Sequence, residues 1–161
     1  MIPSADLLDW ARQKDEKLSR QHGPGLFSSS SKWAGYVAEP VVADWARRAG
    51  LAVEENGGFD IKPDVVIGGI RFGVKGCAVD RAWLPEVKAV IPVEHLEKTW
   101  DYWVFVTSVK EPPHETYILG CITPLEFRLA STDGSGWLHP CRYLPGIDLL
   151  PLQHLLSYML P

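Results

Sequence analysis

Two adjacent glycines between two short strand-like runs constrain the fold of this chain more than any other feature of its sequence. Residues 64–67 are an aspartate followed by three β-branched side chains, Gly68 and Gly69 follow, and residues 70–75 alternate apolar with other side chains. A two-residue glycine turn between such runs predicts a β-hairpin. Because a turn this short allows one pairing, it also fixes which residues oppose each other.

The register of this hairpin predicts which side chains share a face. Directly opposed residues lie on one face, as do residues two apart on a strand. Asp64, position 73 and Lys75 therefore lie together, whereas Val65 and Phe72 lie on the other face and are expected in the core. The sequence thus predicts a carboxylate beside an amine on a hairpin whose opposite face is anchored.

The remaining periodicity predicts one mixed α/β domain, in which a central mixed β-sheet is flanked by helices. Helices are expected at residues 5–21, about 33–49 and 149–159, strands at residues 90–93, 102–107 and 116–122, and irregular segments at residues 22–31, 76–88 and 131–136. A chain of 161 residues is the size of a single domain. We assign residues 1–32 to an N-terminal helix and flexible loop, and residues 33–161 to the core.

Composition excludes several function classes. The net charge of −4 argues against a protein that coats nucleic acid through bulk electrostatics, although a local basic patch remains compatible with it. No apolar run approaches the ~20 residues that a membrane span needs, and no signal peptide is evident, so a cytoplasmic protein is expected. The three cysteines form no CxxC pair, which argues against a zinc knuckle.

A short motif surrounds the predicted hairpin. Lys62, Pro63 and Asp64 open it, and Lys75 follows eleven positions after the aspartate. This arrangement resembles the motif of the PD-(D/E)XK nuclease superfamily, in which an aspartate opens the hairpin and an acidic residue, any residue and a lysine close it. Among its members, the chain is most similar to small phage and bacterial ones. Glu39, on the preceding predicted helix, is similar to a glutamate found in many members. The resemblance covers roughly residues 33–156.

The resemblance implies a restriction-endonuclease-like fold and hydrolysis of DNA phosphodiester bonds that depends on Mg²⁺ or Mn²⁺. Asp64 and Glu39 would be catalytic metal ligands, and Lys75 would position water or stabilise developing charge. A phage-encoded member would act in the host cytoplasm, and assembly into a homo-oligomer is compatible with the family.

Position 73 departs from this pattern, because it carries Gly73 where an acidic residue is expected. Three carboxylates are alternative sources of the missing ligand: Glu39 itself, Glu86 and Asp80. Glu86 also begins a second acidic-x-lysine triplet that ends at Lys88, so Glu86 is a candidate metal ligand and Lys88 an alternative amine. The remaining interpretation is a site that has lost its chemistry.

Basic and aromatic residues near the hairpin are candidate nucleic-acid contacts. Arg71, Lys62 and Arg81 are candidates for phosphate oxygens, and Trp33 for stacking on an unpaired base. Solvated strand charges and a packed tryptophan are the simpler explanations of the same residues.

The sequence therefore supports three functions in order of preference. The first is a metal-dependent DNA nuclease. The second is a catalytically lapsed module of the same fold that binds nucleic acid or a protein partner in a DNA-processing complex. The third is a structural or inhibitory protein that uses some of its seven tryptophans to bind another protein.

Overall fold

The computed structural model describes residues 1–22, 32–56, 62–80, 87–134 and 140–159. Within these residues the helices are α1 (Ala5–His22), α2 (Lys32–Arg48), α3 (Pro124–Ala130) and α4 (Leu156–Met159), and the strands are β1 (Val53–Glu55), β2 (Val65–Ile67), β3 (Ile70–Val79), β4 (Lys88–Pro92), β5 (Tyr102–Val109), β6 (Thr116–Ile122), β7 (Thr132–Asp133) and β8 (Cys141–Pro145). No helix among the described residues is long and apolar enough to cross a membrane.

A five-stranded sheet in the order β1-β2-β3-β5-β6 forms the centre of the fold. Strands β3 and β5 pair in parallel, and every other neighbouring pair is antiparallel, so the sheet is mixed as predicted. On β5, the side chains from Trp103 to Ser108 are all buried, which confirms that this apolar run is a strand covered on both faces.

The glycine turn has the predicted register, with Val65 opposite Phe72 and Ile67 opposite Ile70. Gly68 and Gly69 have φ angles of 57° and 83°, a left-handed conformation that glycine adopts without steric cost. The hairpin is therefore determined locally, by the residues that form it.

Helix α2 covers one face of the central sheet and carries Glu39 to its position. A Cβ atom at Gly76 of β3 would lie 2.4 Å from the Ala34 carbonyl oxygen, so the missing side chain lets helix and strand approach closely. The helix continues through Pro40 to Arg48, and Gly50, whose φ is 80°, terminates it. There the Leu51 N–H bonds the Ala46 carbonyl, a glycine-terminated helix end.

A second, three-stranded sheet in the order β4-β8-β7 and helix α3 pack against the other face. Trp103 and Phe105 of β5 project to this side and pack with Phe127 of α3 and with Ile91 and Leu144 of the second sheet. The central sheet is thus flanked by helices on one face and by a helix and a second sheet on the other.

Several boundaries differ from the sequence-based prediction. Strand β3 continues to Val79 through a segment expected to be irregular, because residues 72–79 pair with β5 over its whole length. Strands β1, β7 and β8 were not predicted. The closing segment is a 3-10 helix (Leu152–Leu155) followed by α4, instead of one helix over residues 149–159, because Leu150 makes a β-bridge with Cys121 and proline occupies position 151.

Candidate functional site

Asp64 lies directly before β2, at the end of the hairpin where the site was predicted. The last pair of the β2–β3 ladder is Val65 with Phe72, and beyond it the Val74 N–H donates to Asp64 Oδ2 at 2.6 Å. The half-buried carboxylate is therefore held against β3 by a hydrogen bond from the backbone, and this bond fixes its orientation.

Glu39 of α2 is the second carboxylate, and the charge of Asp64 acts on it. Burial and then the negative charge of Asp64 raise the pKa of Glu39 from 4.5 to about 7. The positive charges of Lys14 and Lys75 lower it, by smaller amounts. Asp64 and Lys75 are therefore close enough to Glu39 for their charges to influence its pKa, although Lys75 lies on the face of β3 that is turned toward Trp103 and away from α2. We call Glu39 and Asp64 the carboxylate pair.

Lys75 occupies the face of β3 that the hairpin register predicts. Its Nζ atom lies 2.9 Å from Nδ1 of His95 and 4.9 Å from the ring centroid of Trp103. The Trp103 side chain is only 1% exposed. The ammonium therefore lies against a fixed aromatic wall with a polar group beside it, and it contributes positive charge near the carboxylate pair.

Position 73 has no room for a side chain. A Cβ atom there would lie 2.3 Å from Cζ3 of Trp103 and 2.4 Å from Cδ1 of Trp100. Gly73 is opposite Trp103 in the parallel β3–β5 pairing, which places the indole over the glycine. The space of the expected acidic residue is thus filled by two indoles, and another residue must supply any further metal ligand.

The alternative ligands are placed elsewhere or fall outside the described residues. Asp80 follows the far end of β3 and forms an ion pair with Lys110 at 3.0 Å. Lys88 begins β4 in the second sheet, where its Nζ lies 4.2 Å from the Tyr143 ring. Glu86 lies outside the described residues. Lys88 is therefore on the second sheet and not on β3, the strand that follows the glycine turn.

The four candidate nucleic-acid contacts have different surroundings. Lys62 is exposed, and Arg81 lies outside the described residues. Trp33 is 8% exposed and its ring meets that of His114 edge to face, so it packs in the core and offers no open face to a base. Arg71 is exposed, but its guanidinium binds both carboxylate oxygens of Asp101, at 2.8 and 3.1 Å.

We expect Arg71 to act mainly as a clamp between β3 and the start of β5. Its backbone N–H also donates to Asp101, and the Asp101 N–H donates to the Arg71 carbonyl. Replacing Arg71 by Gln should lower the melting temperature slightly, with a difference that shrinks as salt is added, because the pair is exposed. Calorimetric melting in low and high salt measures this. A variant that melts like the wild type but binds DNA much more weakly would instead identify Arg71 as a phosphate contact.

His95 is the residue of this site that the sequence does not identify. The five histidines are scattered without ligand spacing, and His95 reaches Lys75 only because the chain crosses from β3 to β5 through β4. Trp103, in contrast, is recognisable as a core residue from its apolar run. No local pattern could have indicated the contact between His95 and Lys75.

The carboxylate pair fits a hard divalent cation in its chemistry. Mg²⁺ is commonly held by one or two carboxylates together with water and substrate phosphate. Two partly buried carboxylates that repel each other, one with its pKa near neutrality, are stabilised by a cation. Among the described residues, no group of three or more His, Cys, Asp or Glu side chains is placed to hold a metal ion. Glu55 is a further carboxylate whose charge raises the pKa of Glu39, by a smaller amount than Asp64.

A comparison with protein-family models and with curated proteins finds no match to this chain.

Proposed function

We propose that this protein is a metal-dependent nuclease of the PD-(D/E)XK type, which hydrolyses DNA phosphodiester bonds. The observation that carries the proposal is that Asp64, which is hydrogen-bonded to β3, and Lys75 of β3 both act on the charge of Glu39. These residues come from a helix, a pre-strand turn and a strand, and the effect of Asp64 and Lys75 on Glu39 makes them electrostatic neighbours. Carboxylates that bind a metal ion and an amine that stabilises charge are groups that this hydrolysis uses.

In this proposal Asp64 and Glu39 hold Mg²⁺ or Mn²⁺. The bound cation would lower the pKa of a water molecule and shield the phosphate charge. Asp64 is oriented by the Val74 N–H, so one of its oxygens is engaged by the backbone and the carboxylate cannot turn freely. Lys75 carries its ammonium on the neighbouring strand β3 and would stabilise the charge that develops on a phosphate oxygen.

A catalytically lapsed module of the same fold is the second candidate, and the packing at Gly73 favours it. Indoles fill the space where the resemblance implies an acidic residue, and the described residues supply two carboxylates for the ion instead of three. Such a module would keep the hairpin and bind nucleic acid or a protein partner without cutting. The two candidates differ in metal affinity and in cleavage.

Titration with Mn²⁺ and Mg²⁺ by calorimetry at about pH 8, where Glu39 is ionised, tests the proposal. We expect binding by the wild type and at least about tenfold weaker binding by Asp64→Asn, because the carboxylate charge is lost. The asparagine keeps an oxygen that accepts from Val74, so the fold should be retained. Plasmid and single-stranded DNA should be cut by the wild type in the presence of metal, and not by this variant.

Asp44→Asn is the matched control, since Asp44 is a partly exposed aspartate on α2 that pairs with Arg48. It should bind metal and cut DNA like the wild type. Metal binding without cleavage of either DNA would favour the lapsed module. Absence of binding at millimolar metal would reject the nuclease.

A further inference from the structure

The contact between Lys75 and His95 determines the state of the histidine ring. A lysine ammonium carries three hydrogen-bond donors and no acceptor. Because its Nζ lies 2.9 Å from Nδ1, we assign that ring nitrogen as the acceptor and place the ring proton on Nε2. The half-buried His95 is therefore neutral where it receives this hydrogen bond.

The segment that carries His95 is hydrogen-bonded both to the residue before β8 of the second sheet and to α3. His95 ends a 3-10 helix (Val93–His95) that directly follows β4. The Val93 N–H donates to the Pro140 carbonyl at 3.0 Å, and Arg128 of α3 donates to the Leu96 carbonyl at 3.4 Å. The ring is thus presented to Lys75 by backbone that is tied to the second sheet and to α3.

Because Gly73 has no side chain, no carboxylate at position 73 can hold the ammonium of Lys75. In a site with an acidic residue at that position, a carboxylate two residues away on the same face would hold the ammonium. Here that face carries the indole of Trp103, which contacts the ammonium without a hydrogen bond acceptor. An aromatic wall attracts a cation but leaves its direction weakly defined, whereas a nitrogen acceptor at 2.9 Å defines it.

We infer that His95 is the positioning residue of Lys75, fixing its ammonium against Trp103 in a site where position 73 supplies no carboxylate. The inference rests on the proposed nuclease function, to which it adds a residue that acts through Lys75 without touching the phosphate. Its loss should therefore reduce the rate of cleavage more than the affinity for DNA.

Two replacements separate positioning from packing. His95→Asn places an amide oxygen near the position of Nδ1, so it can accept from Lys75, whereas His95→Leu fills a similar volume without an acceptor. For plasmid cleavage we expect His95→Leu to lower kcat by about 10- to 100-fold with KM within about twofold, as is typical of a misplaced catalytic group. His95→Asn should recover most of the rate. An unchanged kcat in His95→Leu, or equal losses in both variants, would overturn the inference.

A second readout does not require activity. In the full chain labelled with ¹⁵N-lysine, the Lys75 ammonium signal is identified by its disappearance in Lys75→Arg. It should be protected from fast exchange in the wild type and in His95→Asn, and lose protection in His95→Leu. His154→Leu, which removes an exposed histidine, should leave it unchanged.

These readouts separate the two proposals. If the wild type cuts no DNA, the nuclease proposal fails, and the ammonium signal alone decides whether His95 holds Lys75. Loss of protection in His95→Leu then supports the contact, and retained protection refutes it.

Discussion

Replacing Gly73 by Asp is expected to destabilise the domain instead of restoring a second motif carboxylate. The new Cβ atom would lie 2.3 Å from a ring carbon of Trp103, a distance that real Cβ contacts do not show. Overpacking of this kind costs about 1–3 kcal/mol, and removing a carboxylate from water against the indoles costs more, which an ion pair with Lys75 two residues away offsets only in part. We therefore expect a loss of at least about 3 kcal/mol in the free energy of unfolding, measured by urea titration, and a melting temperature about 10 °C lower.

The indoles cannot simply move aside. Trp103 is 1% exposed and belongs to the core between β5 and the second sheet, so turning its ring would open a cavity there. Trp100 is half-buried and more easily removed, but adding Trp100→Ala to the aspartate variant leaves the contacts with Trp103 in place. The double variant should therefore recover only part of the lost stability.

Gly73→Ala is the matched control, because it introduces the same Cβ atom without a charge. Its loss of stability measures the steric contact, and the further loss in the aspartate variant measures the buried charge. An aspartate variant as stable as the wild type, with tighter Mn²⁺ binding, would show that the indoles yield and that position 73 still belongs to the metal site.

The hairpin illustrates what local sequence determines. Gly68 and Gly69 require a turn, the turn sets the register, and the register correctly pairs Val65 with Phe72 and Ile67 with Ile70. All of this depends on residues within a dozen positions of one another. The buried strand β5 was predictable for a related reason, since its composition alone indicates burial on both faces.

The packing around Gly73 and Lys75 was not predictable, because it depends on the route of the chain between β3 and β5. The parallel pairing places Trp103 over Gly73. The connection between these strands includes β4, which lies outside the central sheet and pairs with β8. His95 follows β4 and therefore lies beside Lys75. The sequence shows that position 73 lacks a carboxylate. Only the tertiary structure shows that Trp103 and Trp100 fill that space.

The raised pKa of Glu39 makes folding depend on pH, and with it the metal binding that we propose. A carboxyl group whose pKa is about 7 in the folded state and 4.5 otherwise binds more protons when folded, between those two values. The stability contributed by the protonated group is therefore complete below about pH 4.5 and lost as the pH rises through 7. Burial is the largest cause and the charge of Asp64 the second, so neutralising Glu39 removes both penalties.

We expect Glu39→Gln to be more stable than the wild type by about 1–3 kcal/mol above pH 7 and to lose this part of the pH dependence, as measured by urea unfolding at several pH values. Glu54→Gln, which removes an exposed glutamate of β1, should change neither quantity. In the absence of metal, parallel pH slopes for wild type and Glu39→Gln would contradict the assigned pKa.

The same carboxyl predicts how Mn²⁺ binding responds to pH. A proton and a cation compete for Glu39, so the affinity of the wild type should rise about tenfold per pH unit between about 5 and 7 and level off above. Glu39→Gln should bind more weakly at pH 8 and show a much smaller slope, because Asp64 alone remains of the carboxylate pair. Thus one substitution is expected to stabilise the fold while weakening the site, which is the behaviour of a group retained for binding at a cost to stability. A variant that gains stability and keeps the affinity and slope of the wild type would place the metal away from Glu39.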